Sequence, residues 1–320
     1  MVADRPPVVP TRGRDSFPGC PVPVARSLGV EMSEAVSSDE NLRSGFVTLV
    51  GRPNVGKSTI LNAILGHKVS IVSDKPQTTR RQVRGIVNRP DVQIVFVDTP
   101  GLHKPVSALG DRVNAAAIES LVDVDVACLV LDATKPFGSG DEWVAKRLDP
   151  ARTVVVVNKI DRASRDQVLE HLAAASGLDA TAYFPVSGRT GEGVDALVDH
   201  LAAAMPAGPR YYPVDMRSDV DEAEWVAELV REQLLTVFRD ELPYSIATRV
   251  TEWEWPRVRC EIVVERESQK GMVIGKGGRI LKEVGKAVRE QLAPGAFIEL
   301  HVKVDKDWQN RPDRVERLGY

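Results

Sequence analysis

Aromatic residues make up only 5% of this 320-residue chain, and its cysteines number three: Cys20, Cys128 and Cys260. An odd, scattered set offers no disulfide framework, so a reduced, cytoplasmic protein is expected. No apolar run approaches the roughly 18 residues needed to cross a bilayer. The N-terminus also lacks the charged-then-apolar order of a secretory signal. Any membrane contact is therefore expected to be peripheral. Charge of one sign is missing as well. Lys and Arg total 42 against 45 Asp and Glu, a net −3, so nucleic acid could be held only at a local basic patch. What remains is ordinary for a globular protein, with 43% hydrophobic and 27% charged residues over a length that suits two domains. No internal repeat is visible.

Residues 1–44 carry six prolines and little periodic apolar content. Such a stretch cannot bury enough surface to offset its ordering entropy, and a disordered tail is expected. The apolar run Phe46–Val50 then reads as a buried strand. It leads into Gly51-Arg52-Pro53-Asn54-Val55-Gly56-Lys57-Ser58 and a helical pattern starting at Thr59. Strand, glycine loop and helix together make G-x-x-x-x-G-K-[ST] a phosphate site. The glycines let backbone N–H groups turn inward as an anion nest at a helix N-terminus. Lys57 is placed to reach the β- and γ-phosphates, and Ser58 to ligate Mg²⁺.

Between 45 and 205 strands and helices alternate, the pattern of a three-layer α/β P-loop NTPase domain with a mixed, mainly parallel sheet. An antiparallel hairpin is expected from Gly85–Val87 and Val92–Val97, ending in Asp98-Thr99-Pro100-Gly101-Leu102. Buried strands at 126–131 and 153–157 follow, then a short one at 182–186, with helices near 108–122, 141–149, 164–176 and 193–204. Each ligand cluster falls just past a strand's C-terminal end, where open α/β sheets bind ligands. Asn158-Lys159-Ile160-Asp161 selects the base: a carboxylate at 161 can accept N1–H and the exocyclic amine of guanine, a donor pair adenine lacks. Lys159's stem can cover the ring, Asn158 can tie this loop to the phosphate loop, and N–H groups at Ser187-Gly188 can meet guanine O6. Leaving such buried groups unpaired is what rejects the wrong base. In the metal shell, Asp98 is expected to act through water. One threonine of the pair Thr78-Thr79 is expected to join when γ-phosphate is present, with Thr79 preferred and the choice between them left open by the sequence, while Gly101's N–H senses that phosphate.

Residues 206–221 read as a linker from Pro206-Ala207-Gly208-Pro209 and Tyr211-Tyr212-Pro213. Beyond it a smaller α+β unit, 222–320, is expected: an amphipathic helix over 222–239, strands near 244–252 and 257–265, a short helix, Gly275-Lys276-Gly277-Gly278, a helix to about 291, and a strand near 296–304. Val273 to Ile280 resembles a KH motif. Its glycines admit a nucleic-acid backbone, helix N-termini face phosphates, and Ile274 and Ile280 offer bases an apolar floor. Between Arg266 and Arg289 seven cations, among them Lys270, Lys276, Arg279 and Lys282, face two carboxylates, the local patch the global charge withholds. Trp253 and Trp255 share one strand face and are read as sheet packing rather than base stacking.

On GRPNVGKST, PQTTR, DTPGLH, NKID, ELPYS, ERESQKGMVIGKGG and the terminal RLGY, the chain from about residue 45 resembles the bacterial Era family. That family joins a translation-factor-class G domain to a C-terminal KH domain of type II. Ser187-Gly188 departs from its commoner Ser-Ala. The resemblance implies a GTPase that binds the 3′ end of 16S rRNA and serves 30S assembly. It also implies a monomer, with any membrane contact on the inner face. Leu102 stands where Ras-like enzymes orient water with glutamine, so intrinsic hydrolysis is expected to be slow. Asn54 is then a candidate K⁺ ligand, as an asparagine there is in related GTPases. The competing reading is a membrane- or cell-cycle-associated signalling GTPase that acts through protein partners and uses the KH fold as scaffold. RNA-stimulated hydrolysis separates the two.

Overall fold

The computed structural model describes residues 42–75, 78–101, 107–119, 124–239 and 242–320. The expectations placed on most of the N-terminal tail, on Pro76 and Gln77, and on Leu102 lie outside the described residues.

The first domain opens with β1 (Arg43–Val50) and α1 (Lys57–Leu65). Strand β1 starts upstream of the expected domain boundary, where Arg43 N donates to Asp91 O at 3.0 Å and Ser44 N to Pro206 O at 2.9 Å. Then come β2 (Val83–Asn88), β3 (Val92–Asp98), α2 (Ala108–Glu119), β4 (Val126–Asp132), α3 (Ser139–Ala145), β5 (Thr153–Asn158), α4 (Arg165–Ser176), β6 (Ala182–Pro185) and α5 (Val194–Ala204). The sheet order is β2-β3-β1-β4-β5-β6, and only the β2–β3 pair is antiparallel. Its central strands are valine-rich because successive residues must be apolar on both faces. Val154 and Val156 of β5 join a core with α1 and α5, while Val155 and Val157 join one with α3 and α4. The result is the expected three-layer domain.

The segment from 206 to 220 is bonded to the first domain along its length. Buried Gln93 accepts from Tyr211 N and Tyr212 N at 2.7 and 3.0 Å and donates to Tyr212 O at 2.8 Å. Ile86 N donates to Arg217 O at 2.9 Å, so the chain runs along the otherwise open edge of β2.

The second domain holds α6 (Glu222–Val237), α7 (Leu242–Ser245), β7 (Ala247–Glu254), β8 (Arg257–Val264), α8 (Glu267–Ile274), α9 (Arg279–Arg289), β9 (Phe297–Val304) and α10 (Pro312–Arg317). Its sheet runs β7-β8-β9, antiparallel then parallel. The sequence reading missed α7 and α10, and Phe238, expected inside the first helix, lies just past its end. Trp253 and Trp255 stack with ring centroids 6.3 Å apart, half-buried against the second core. That is the packing role expected of them.

The two domains share core. Ile71 of the first is buried among Trp225, Leu229 and Val230 of the second. Leu109 and Val113 of α2 pack with Trp308, Val315 and Leu318.

Candidate functional site

Leaving β1, the chain can turn into α1 only through backbone forms that favour glycine. Gly51 has φ 155° and Gly56 φ 98°, and a Cβ on Gly56 would stand 2.3 Å from Asn158 Nδ2. The curled loop points α1 at the cradle. Within it the Lys57 ammonium donates to Gly51 O at 3.4 Å and Arg52 O at 3.3 Å. Burial lowers its pKa to about 8, although Asp98 pulls the other way. Burial likewise raises the Asp98 carboxyl, against the opposing effects of Lys57, Ser58, Ser70 and Thr79. Two buried groups that both resist charging describe a site built around a charged ligand.

Three oxygen-bearing side chains converge beside Lys57. Ser58 Oγ donates to Asp98 Oδ2 at 2.7 Å and lies 2.9 Å from Thr79 Oγ1. Asp98 Oδ1 is buried without a hydrogen-bond partner. Thr78 instead turns its hydroxyl to Lys75 O at 2.7 Å, which separates the two threonines left open by the sequence. Gly101 lies against the phosphate loop so closely that a Cβ would stand 2.8 Å from Pro53 Cα and N.

The base loop is tied to this cradle. Asn158 Nδ2 donates to Val55 O at 2.8 Å, and its Oδ1 accepts from Gly188 N at 3.0 Å. Asp161 Oδ1 accepts from Ser187 Oγ at 2.7 Å, while its Oδ2 pairs with Arg189 at 2.9 Å. Ser187 N is used by Glu192 O at 2.9 Å. The N–H groups of Ser187 and Gly188, expected to meet guanine O6, are thus both engaged in shaping the loop.

Several motif side chains face the protein rather than the cradle. Arg52 points away from the cradle into an ion pair of 2.9 Å with buried Asp141 of α3. Thr99 is wholly buried, with its hydroxyl donating to Leu49 O at 2.8 Å, and Val55 and Pro100 are buried too. These residues build the site's walls and offer a ligand only backbone. Asn54, left-handed at φ 64°, sends Nδ2 to Asp74 O at 2.6 Å.

The sequence reading passed over three polar residues here. Ser70, buried, donates to Asp98 Oδ2 at 2.9 Å. Asn62 holds Ser70 in place by accepting from Val69 N and Ser70 N at 2.9 and 3.1 Å and donating to Ser70 O at 2.8 Å. Asp132, at the end of β4, accepts from Lys159 Nζ at 2.7 Å. Only Asp132 carried a signal, as a carboxylate directly after a buried strand on the ligand-binding rim.

In the second domain Gly275, Gly277 and Gly278 all have positive φ, between 62° and 76°. They reverse the chain sharply between α8 and α9. Lys276, Gly277, Arg279 and Lys282 are exposed, Lys270 is partly exposed, and Ile274 and Ile280 are half-buried. A Cβ at Gly275 would stand 2.8 Å from Ile280 Cγ1, so glycine there lets the turn close on that apolar floor. Among the described residues no group of three or more His, Cys, Asp or Glu could hold a metal ion, and no helix is long and apolar enough to cross a membrane.

Comparison with known proteins covers both domains. A family model described as 50S ribosome-binding GTPase matches residues 46–159, and one described as KH domain matches 241–309. The chain is 48% identical over 296 residues to the GTPase Era of Mycobacterium tuberculosis strain H37Rv, covering 87% of this chain and 98% of that protein. To the GTPase Era of Mycobacterium avium strain 104 it is 47% identical, with 87% and 99% covered. Its fold matches a crystal structure of an Aquifex aeolicus Era variant bound to GDP·AlF4⁻, with a TM-score of 0.83 and 37% identity, over 87% of this chain and 99% of that one. The same TM-score, at 36% identity and the same coverage, relates it to Era in complex with MgGDPNP and nucleotides 1506–1542 of 16S ribosomal RNA.

Proposed function

Since the chain belongs to the Era family of GTPases and hydrolyses GTP to GDP and phosphate, we propose that it is a GTP-timed switch. In this reading it binds 16S rRNA near its 3′ end through the second domain and acts in maturation of the 30S subunit. One observation carries the timing: both stretches placed to sense the γ-phosphate are packed into the RNA-binding domain. Thr79 faces Ser58, while the next residue, Arg80, buries its guanidinium in the second domain. Past Gly101, α2 inserts Leu109 and Val113 against Trp308 and Leu318. A change in the cradle is thereby a change at the interdomain contact, the form of coupling an order–disorder switch requires.

The residues fit Mg²⁺. The buried, unpaired Asp98 Oδ1 beside the Ser58 and Thr79 hydroxyls is a hard-oxygen set of the kind that ion takes. Ser58 and Thr79 would hold the ion, with Asp98 acting through water. When bound, Mg²⁺ neutralises charge developing on the phosphates. Lys57 orients the β- and γ-phosphates, the loop's N–H groups cradle them, and Asp161 selects guanine through N1–H and the exocyclic amine, exchanging its Ser187 and Arg189 partners for the base. Intrinsic hydrolysis is slow in this reading, and Asn54 contributes to a K⁺ site that supplies the missing positive charge.

The test is crosslinking of the full chain to RNA with and without a non-hydrolysable GTP analogue, followed by sequencing of bound fragments. Fragments from the 3′ end of 16S rRNA, enriched with the analogue, are expected, together with faster GTP hydrolysis when that RNA is added. Replacing Lys276→Asp and Gly277→Asp together should abolish capture while leaving RNA-free turnover within about twofold, since phosphate contacts dominate such affinity. RNA capture that survives the double variant, or hydrolysis indifferent to RNA, overturns the switch.

A further inference from the structure

Two non-glycine residues at the nucleotide site hold left-handed backbone, Asn54 at φ 64° and Lys159 at φ 67°. Such a backbone conformation is strained for a non-glycine residue and persists only where its surroundings enforce it. The two are joined to each other: Lys159 Nζ donates to Asn54 O at 2.6 Å. The same ammonium donates to Asp132 Oδ2 at 2.7 Å. Asp132 is buried, 2% exposed, and each of its carboxylate oxygens has a separate task. Oδ1 accepts from Thr134 N at 3.0 Å and Thr134 Oγ1 at 2.6 Å, which fixes the plane of the group and leaves Oδ2 aimed at Lys159. Burial works against its charge, but Lys159 and Thr134 outweigh that and hold the carboxyl below the usual carboxylate range. Lys135 also reaches Oδ2, at 4.0 Å and largely exposed, too far and too wet to replace Lys159.

We propose that Asp132 is a positioning residue for guanine-nucleotide binding: it anchors the Lys159 ammonium so that the lysine stem lies along the base and its tip pins the phosphate loop at Asn54. Strand pairing supports the arrangement, because Asp132 and Asn158 are register partners at the ends of β4 and β5. The carboxylate and the base loop are therefore held by one stretch of sheet, and the distance from Asp132 to Lys159 is set by backbone. Without the carboxylate, a long flexible side chain must be ordered at each binding event. With it, the lysine is in place before the nucleotide arrives.

The inference rests on the assignment of Asn158–Asp161 to guanine, and the experiment keeps the two apart. Dissociation of a fluorescent GDP analogue is followed by stopped flow for the full-length wild type, Asp132→Asn, Lys159→Met and the double variant. Lys159→Met keeps a stem over the base and removes the ammonium. Asp132→Asn should speed release roughly ten- to thirtyfold, the range expected when a hydrogen bond to a buried charge is lost. In the Lys159→Met background the same change should add less than about twofold, because the group it serves is gone. An Asp132 that only packs the end of β4 gives equal losses in both backgrounds. That additivity, or a wild-type release rate in Asp132→Asn, overturns the proposal. Base preference reads the assignment itself: Asp161→Asn should shift selection from GDP toward xanthosine diphosphate, whereas Asp132→Asn should leave GDP preferred. A GDP preference unchanged in Asp161→Asn removes the assignment, whatever Asp132 does.

Discussion

Asn54 carries two contacts that pull on one short loop. Its carbonyl is held by Lys159 and its side-chain amide reaches Asp74 O, at the start of the segment leading to Thr79. A side chain so placed can report on a monovalent cation beside the phosphates, or merely brace the loop. Hydrolysis in K⁺ and Na⁺ buffers of equal ionic strength separates these roles. If Asn54 contributes to a K⁺ site, wild-type turnover should be at least about tenfold faster in K⁺, a small part of what a transition-state cation can supply. Asn54→Ala should erase that ratio rather than scale both rates together; equal wild-type rates sink the idea. At this scale the sequence was legible wherever a role lies within a contiguous motif on a strand end. Lys57, Ser58, Asp98 and Asn158, read from such motifs, do come together on one rim of the sheet. The sequence was silent on Ser70 and Asn62, whose function consists of hydrogen bonds to each other and to a carboxylate 28 residues beyond Ser70. At Thr99 and Arg52 the motif position alone does not say what the side chain does: both turn into the protein, Thr99 to Leu49 O and Arg52 to Asp141.

The segment from Lys68 to Arg84 is the element on which both domains depend. It runs with Ser70 and Thr79 toward the cradle and with Ile71, Arg80 and Arg81 toward the second domain. Arg80 is buried and donates to Ile246 O at 2.6 Å and Tyr244 O at 2.9 Å, and its guanidinium lies 6.0 Å from the Trp308 ring centre and 5.7 Å from that of Tyr320. Arg231 reaches back from α6 to Thr78 O, and Val72 N donates to Glu232 Oε1 at 3.0 Å. The fork of Arg80 is suited to several carbonyls at once, and a lysine has neither its plane nor its spread of donors. Arg80→Lys should therefore leave at least one buried carbonyl unpaired and cost about 2 kcal/mol. In a chain of this size that is a fall in Tm of roughly 3–4 °C by scanning calorimetry. It should also weaken the stimulation of GTP hydrolysis by RNA more than it changes RNA affinity, since the groove residues are untouched. A variant with wild-type Tm and wild-type stimulation would mean that the contact transmits nothing. Residues 73–80 are too polar and turn-rich to suggest a core stretch. What the residues did not disclose is that Arg80 and Ile71 are core residues of the other domain, because their partners lie about 150 positions or more away. The same reason hid α10. Its one buried apolar residue, Val315, and Leu318 just past its end are too few to show a period and acquire their meaning against α2.

For the whole molecule, these contacts make the second domain's core incomplete without the first. Ile71 fills it from one side, Leu109 and Val113 from another, and the segment between the domains is held to β2 by Asn88 and to β3 by Gln93 instead of hanging free. Two domains joined in this way should unfold together, and a ligand of one should stabilise both. The chain carries its own reporter: of its five tryptophans, Trp225, Trp253, Trp255 and Trp308 lie in the second domain and only Trp143 in the first. Tryptophan emission on heating therefore follows mainly the domain that does not hold the nucleotide. A ligand at a hundred times its Kd stabilises its binding unit by about 2.7 kcal/mol. For a cooperative unit of this length that raises Tm by roughly 4–5 °C. Saturating GDP and Mg²⁺ should move the tryptophan transition by that amount, coincident with the loss of helix signal, in a single step. Arg80→Lys should split the step, with the tryptophan transition falling behind and losing part of its response to GDP. A tryptophan melt that ignores GDP in the wild type would show that the shared core is too weak to couple the domains. The GTP state would then have to reach the glycine loop at Gly275 by some route other than the wedge of residues 68–84.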